Sequence, residues 1–332
     1  MVSASGAASA KMRGTGRSIT QGSHMPIDPQ IQTVLDQMAS IGFPGLSALP
    51  VEQAREALAL MGSAQDEGVE QVAGAEDLEI PGPVGAIPVR AYAPAGDGPL
   101  PVVVYYHGGG WVLGGLESHD GTCRALANAA GALVVSVDYR LAPEHPFPAA
   151  VDDAWAALTW VADNAGDLGG DPARIVVAGD SAGGNLAAVA ALLARDAGAP
   201  VLRGQLLVYP VTDATMASGS IEENGEGYFL TKADMDWFYG HYAPDRPSDW
   251  RLAPLVAEDL TGLAPALVLT AEYDPLRDEG EAYGARLAEA GVPVEVVRKD
   301  GLIHGFFGMV ADVDEARAAM EHAGATVRRW ME

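Results

Sequence analysis

Gly179-Asp180-Ser181-Ala182-Gly183 places a serine hydroxyl at the centre of a G-x-S-x-G turn. A short apolar run, residues 175–178, leads into it, and an alanine-rich stretch of helical character follows. A serine at such a strand-to-helix turn projects from the carboxyl end of the strand. The N–H groups that open the helix then face it, and negative charge growing beside Ser181 is favoured there. The chemistry on offer is nucleophilic attack by the hydroxyl. Gly179 and Gly183 suit the close backbone approach that so tight a turn demands. Taken alone, the pentapeptide also fits an ordinary glycine-rich connection, so its partners decide.

Upstream, residues 102–106 are β-branched and aromatic and read as a short buried strand. His107-Gly108-Gly109-Gly110-Trp111 follows directly. Three successive glycines leave their amides bare and let them approach a ligand. Acyl transfer needs such donors, because the tetrahedral intermediate carries a full charge on the former carbonyl oxygen. The N–H of Ala182, the residue after the nucleophile, is the natural partner of this loop. A phosphate loop is the competing reading, but no Gly-Lys-Ser/Thr follows. His107 precedes the glycines and is read as orienting the loop rather than as a base.

A serine hydroxyl is a weak nucleophile until a base takes its proton. The candidates are His24, His107, His119, His145, His241, His304 and His322. In folds built on this elbow the chain order is serine, acid, histidine, which leaves His241, His304 and His322. His322 lies in a stretch of helical spacing, residues 312–332, and reads as a solvated helix residue. His241 belongs to an aromatic cluster suited to packing. His304, between Gly301 and Gly305, suits a loop just past a strand expected at residues 292–297. For the acid, Asp274 stands before Pro275 at the end of an apolar run. It would hold the imidazole in one tautomer and stabilise its protonated form. Asp278 is the rival, and its place just before a helical stretch, residues 279–290, suits a cap. Glu272 points to another face by strand alternation.

With these motifs placed, the sequence resembles the bacterial hormone-sensitive-lipase-like (family IV) carboxylesterases of the α/β-hydrolase superfamily. The resemblance runs from about Pro26 onward. It includes Asp138-Tyr139-Arg140-Leu141-Ala142-Pro143-Glu144-His145-Pro146-Phe147-Pro148, Tyr209-Pro210-Val211-Thr212-Asp213, Asp274-Pro275-Leu276-Arg277-Asp278 and His304-Gly305-Phe306. It implies a catalytic triad of Ser181, Asp274 and His304. It also implies an oxyanion hole from the glycines of the loop, Gly108, Gly109 and Gly110, best the last two, together with Ala182. The implied activity is hydrolysis of short- to medium-chain carboxylic esters through an acyl-serine, without cofactor or metal. Some members of the family dimerise through the sheet edge, so a homodimer is a further implication. Amide, carbamate or thioester hydrolysis would use the same parts. A non-catalytic ligand receptor on a hydrolase scaffold is the alternative of another class, although the gibberellin receptors that resemble this family lack the histidine found here at 304.

These parts need a scaffold. Strand-like and helical runs alternate from residue 101 to residue 297, which predicts one α/β domain over residues 26–332. Its central sheet would be mostly parallel with helices on both faces, and residues 69–80 and 84–92 would add antiparallel strands in front. Two amphipathic stretches, residues 29–41 and 51–61, and an insertion after a strand at residues 205–209 fall outside the alternation. They predict a small helical cap formed by about residues 26–65 and 213–243. Phe229, Leu230, Trp237 and Phe238 in the cap, with Trp111, are candidate pocket residues; the alternative is that they only pack the cap to the body. Pro143, Pro146 and Pro148 make residues 139–148 a rigid loop, with Glu144 a candidate for a supporting role. Residues 1–25 contain Lys11, Arg13 and Arg17 and no acid, and Gly22-Ser-His-Met25 resembles a cloning junction. They are read as a cloning-derived leader or a disordered native tail, with Met25 the native start.

The 332 residues carry a formal charge of −25, from 45 acids against 20 bases. Such a surface repels nucleic acid and anionic lipid, so neither partner is expected. No apolar run is long enough for a membrane helix. The single cysteine, Cys123, excludes an internal disulfide and gives no support for secretion, so a cytoplasmic location is expected. It lies in a helical stretch and reads as buried filler. No Cys/His cluster has structural-zinc spacing, and no metal is expected.

Overall fold

A computed structural model describes residues 26–64, 70–96 and 98–332, with backbone alone for 61–64. The expected leader, residues 1–25, lies outside the described residues. Among the described residues eight strands form one sheet: β1 (Gly74–Pro81), β2 (Ala86–Ala93), β3 (Leu100–Tyr106), β4 (Leu133–Val137), β5 (Gly170–Asp180), β6 (Leu202–Val208), β7 (Ala266–Tyr273) and β8 (Val294–Ile303). Their order is β1-β2-β4-β3-β5-β6-β7-β8. The pairs β1–β2 and β2–β4 are antiparallel, and every other neighbouring pair is parallel. The expected α/β architecture is therefore present, with its antiparallel strands at the front edge.

Strand alternation divides the core into two layers. Val102, Val104 and Tyr106 of β3 face one layer, and Val103 and Tyr105 face the other. Ile175 and Val177 of β5 join the first, Val176 and Ala178 the second. The first layer takes apolar residues from α4 (Ala149–Asn164), α5 (Ala182–Ala197) and α8 (Arg277–Glu289). The second takes them from α3 (Asp120–Ala130) and α9 (Asp314–Met331). Helices on both faces explain why β3, β4 and β5 are apolar on both sides rather than alternating with polar residues. Cys123 is fully buried in α3.

The last strand differs from expectation. It runs to Ile303 rather than stopping near residue 297. Arg298 and Lys299 pair with Thr270 and Ala271, and the register shifts before Tyr273 meets Ile303. Polar residues are tolerated because β8 is an edge with an exposed face. Gly301, at φ +74°, supplies the irregularity and donates its N–H to Glu272 Oε2 at 2.8 Å. His304 thus emerges directly from a strand end.

Four further helices of the described residues lie outside the alternation: α1 (Pro29–Ser40), α2 (Val51–Ala64), α6 (Gly219–Asn224) and α7 (Lys232–Tyr242). Side-chain anchors hold two of these segments. Asp234 of α7 accepts the Ser47 N–H at 2.8 Å. Arg55 of α2 donates to the carbonyls of Val112 and Ala142, each at 2.9 Å, and pairs with Glu144 at 2.8 Å. Among the described residues, no helix is long and apolar enough to cross a membrane.

Candidate active site

Ser181 sits between β5 and α5 with φ 56° and ψ −119°, a conformation that a non-glycine residue adopts only when its surroundings impose it. The imposing contacts are backbone packing. A Cβ on Gly183 would strike the Tyr106 carbonyl, and one on Gly179 would strike the Gly183 backbone. The Ser181 N–H donates to Val208 O at 2.9 Å. The expectation for both glycines is met.

Asp274 follows β7 and His304 follows β8, and the two strands are neighbours. His304 Nδ1 lies 2.8 Å from Asp274 Oδ2, and His304 Nε2 lies 3.0 Å from Ser181 Oγ. Asp274 is fully buried, and its Oδ1 accepts the Leu276 N–H at 2.8 Å. An ionised carboxylate only accepts, so Nδ1 carries the imidazole proton and Nε2 is left to receive the one from Ser181. Ser181 and His304 are 8% and 6% exposed, enough to meet a small molecule and too little for bulk water. The Tyr209 ring, 4.5 Å from the imidazole, fills one side.

Gly109 and Gly110 turn the loop after β3 with φ of +113° and +61°. Among the described residues, no acceptor takes the N–H of Gly109, Gly110 or Ala182. Ala182 is the first residue of α5, where an amide has no intrahelical partner. Gly108 is a correction. Its N–H donates to Asp180 Oδ1 at 3.0 Å and also faces His119 Nε2 at 3.3 Å. That amide anchors the loop and is not free for an oxyanion. Asp180 also accepts from Tyr105 Oη at 2.7 Å. Burial alone would raise its carboxyl; the nearby His119 and the Tyr105 hydroxyl hold it below the ordinary aspartate value instead.

A cavity of about 140 Å³ opens on Ser181 and His304. Phe229, Leu230 and Phe238 line it, as do Leu46 and Leu58 from the N-terminal segment. Trp111 lines a second, smaller cavity and is 1% exposed, stacked on Tyr242 at 4.4 Å. Trp237 lines neither cavity. It lies on the flank of α7 opposite the buried face of Met235, Phe238, Tyr239 and Tyr242, as the 3.6-residue period requires, and packs on Phe238 and His241.

Other candidates fall elsewhere. Asp278 does not cap α8; the helix begins at Arg277, and Asp278 in its first turn accepts the Ser220 N–H and pairs with Arg277. Glu144 binds Arg55 at the surface and does not enter the cavity. His322 meets Glu295 on the flank of α9, and His241 packs edge-on against Trp237. The anchoring role of Asp180 escaped the sequence reading, although its place inside the pentapeptide was a signal. Leu46 and Leu58 fall in the expected cap segment, but nothing in the sequence marked them as pocket residues. Among the described residues, no group of three or more His, Cys, Asp or Glu side chains is gathered as for a metal ion.

Comparison with known proteins agrees with this arrangement. Residues 103–308 match a family described by the alpha/beta hydrolase fold. Over 291 residues the chain is 46% identical to the carboxylic ester hydrolase LipN of Mycobacterium tuberculosis, covering 85% of this chain and 77% of that protein. It is 39% identical over 288 residues to an arylesterase of Saccharolobus solfataricus, covering 86% and 93% respectively. The structure of an esterase from Pyrobaculum calidifontis superposes with a TM-score of 0.86 at 45% identity, covering 92% of this chain and 99% of that one. The chain belongs to the alpha/beta-hydrolase family, among its hormone-sensitive-lipase-like carboxylesterases.

Proposed function

We propose that this protein is a serine carboxylesterase in which Ser181, His304 and Asp274 act as one unit. The observation that carries the proposal is the unbroken chain from Ser181 Oγ to His304 Nε2 at 3.0 Å and from Nδ1 to Asp274 at 2.8 Å, beside amides that have no acceptor among the described residues. His304 takes the hydroxyl proton as Ser181 Oγ attacks the ester carbonyl. The oxyanion is received by the amides of Gly109, Gly110 and Ala182. The carbon–alkoxide bond breaks, His304 gives its proton to the departing alcohol, and an acyl-serine remains. Water then loses a proton to His304, attacks the acyl carbon, and the acid leaves as the proton returns to Ser181.

In this reading the segments 26–64 and 213–243 form a cap. The support is that Leu46, Leu58, Phe229, Leu230 and Phe238 line the cavity holding Ser181. Excluding bulk water there strengthens the oxyanion contacts. The substrate is a small-molecule ester; the charge of −25 argues against nucleic acid or anionic membrane. A homodimer through β8 is supported by its edge position and by Val296, 40% exposed, and sedimentation of the purified protein tests it. A cytoplasmic location is supported by the lone buried Cys123 and is tested by cell fractionation.

The decisive substitution is Ser181→Ala. It is expected to lower kcat/KM for p-nitrophenyl acetate by about 10⁴-fold or more while circular dichroism stays native. A variant that keeps near-normal turnover overturns the assignment.

A further inference from the structure

The glycine loop must present two amides at fixed points. Among the described residues, the backbone bonds within it converge on Gly109 O, which accepts the N–H groups of Val112 and Leu113 at 3.1 and 2.8 Å. Its two ends, Gly108 and Gly115, are joined by side chains of the segment that follows. The Gly115 N–H donates to Ser118 Oγ at 3.0 Å, and Ser118 Oγ also reaches Gly115 O at 3.0 Å. Ser118 Oγ lies 2.9 Å from His119 Nδ1. The other ring nitrogen, Nε2, faces the Gly108 N–H at 3.3 Å and Asp180 Oδ1 at 3.4 Å. One imidazole therefore spans the loop from end to end.

The link holds for either tautomer of the ring. With its proton on Nδ1, His119 donates to Ser118 Oγ and accepts the Gly108 N–H. With the proton on Nε2, it accepts from the Ser118 hydroxyl and turns its N–H to the Asp180 carboxylate, which itself holds the Gly108 amide at 3.0 Å. The turn that carries Ser118 and His119 is fixed from the other side. Arg90 of β2 meets Glu117 Oε1 at 2.8 Å and Asp120 Oδ1 at 3.2 Å, and Tyr92 Oη donates to Asp120 Oδ1 at 2.8 Å. Asp180 directly precedes Ser181, so the same clasp ties the loop to the turn of the nucleophile.

The geometry points to His119 as a positioning residue of the reaction: through Gly108 and Ser118 it sets the loop so that the Gly109 and Gly110 amides meet the oxyanion. The inference rests on the esterase reading above and adds to it a residue that lies outside both glycine motifs. Donors aimed at a developing charge act only when already in place, and a displacement of about 1 Å is costly to the rate. A ring that merely filled space between the rings of His107 and Tyr105, 5.4 and 6.4 Å away, would not need a contact at each nitrogen. Ser118 and His119 also line the cavity of Ser181, so the test must separate loop positioning from substrate contact.

Kinetics with p-nitrophenyl acetate and inhibition by a trifluoromethyl ketone make that separation, because the ketone's adduct with Ser181 sets a charged oxygen on the same amides. His119→Ala is expected to lower kcat about 10- to 50-fold with KM within about 2-fold of native, and to raise the ketone Ki by the factor that kcat/KM falls. Ser118→Ala, which cuts one arm of the clasp, should cost about 3- to 10-fold, and the double variant should be no worse than His119→Ala. The inference is overturned if folded His119→Ala keeps kcat within about 3-fold of native, if its loss lies in KM with the ketone Ki unmoved, or if the two losses multiply in the double variant. Should His119→Ala not fold, Ser118→Ala decides: a matched loss in kcat and ketone affinity supports the clasp, and native values for both overturn it. Failure of the esterase reading looks different, since the native protein itself would then neither turn over the ester nor bind the ketone.

Discussion

Two histidine–aspartate pairs stand at the carboxyl ends of neighbouring strands on either side of the nucleophile. His304 and Asp274 follow β8 and β7; His107 and Asp138 follow β3 and β4. The first pair meets at 2.8 Å and presents its free nitrogen to Ser181 Oγ. In the second, His107 Nε2 is 4.0 Å from Asp138, beyond hydrogen-bonding reach, and has no hydrogen-bond partner among the described residues. The His107 ring is fully buried, stacked on Tyr139 at 4.2 Å, and its Nδ1 contacts Gly108 O at 2.7 Å. Burial, with His119 adding to it, pushes its pKa down to about 3, so the ring stays neutral and proton transfer is closed to it. The same residue types in similar topological places thus form a connected hydroxyl–imidazole–carboxylate chain on one side and a buried, unlinked pair on the other. Access to a hydroxyl and a carboxylate in contact make the difference.

Substitutions that test this contrast range from large effects to small. His304→Ala should lower kcat for a p-nitrophenyl ester by about 10⁴-fold or more, and the double variant with Ser181→Ala should be little worse than either alone. Additive losses would show that the two act separately. Asp274→Asn should cost about 10³- to 10⁴-fold by favouring the wrong imidazole tautomer. Asp138→Asn in the other pair should change kcat/KM by less than about 3-fold, as expected for a group outside the reaction. His107→Asn should cost about 10- to 100-fold, through slackening of the glycine loop, with the acid limb of the pH–rate profile unmoved. A loss as large as that of His304→Ala would erase the distinction between the pairs.

The smallest effect is on stability. Burial first, and the Glu117 charge second, raise the Asp138 pKa to about 6. The native state therefore holds a proton that the unfolded chain releases nearer pH 4. Its contribution is full below the unfolded value, declines as pH rises from about 4 to about 6, and is absent above. Thermal melts of Asp138→Asn should lack this decline and give a Tm at or above that of the native chain at pH 7. A lower Tm at pH 7 with an unchanged slope would contradict it.

Much of this site was legible in the residues. Ser181 was marked by a strand, a tight glycine turn and a helix in succession, and Asp274 and His304 by chain order and by turn residues beside them. Local spacing carries that information because each residue stands at the end of its own strand. What was hidden depends on contacts between distant segments. The Gly108 amide looked as free as its neighbours until Asp180 was found accepting it. Trp237 looked like a pocket residue because its aromatic neighbours share its sequence, but not its helix face. Leu46 and Leu58 line the cavity from a segment that hydrogen bonds of Arg55 and Asp234 tie to distant parts of the chain. The continuation of β8 to Ile303 was obscured by Arg298, Lys299 and Asp300, charges that an exposed edge accepts.

The central claim is that Ser181 is activated by His304 and Asp274, and covalent capture tests it most directly. Native protein treated with a fluorophosphonate, digested and examined by mass spectrometry should carry a single adduct, on Ser181, formed far more slowly in His304→Ala. Ester hydrolysis that continues with Ser181 unmodified, or labelling of Ser181 at an undiminished rate without His304, would contradict the account.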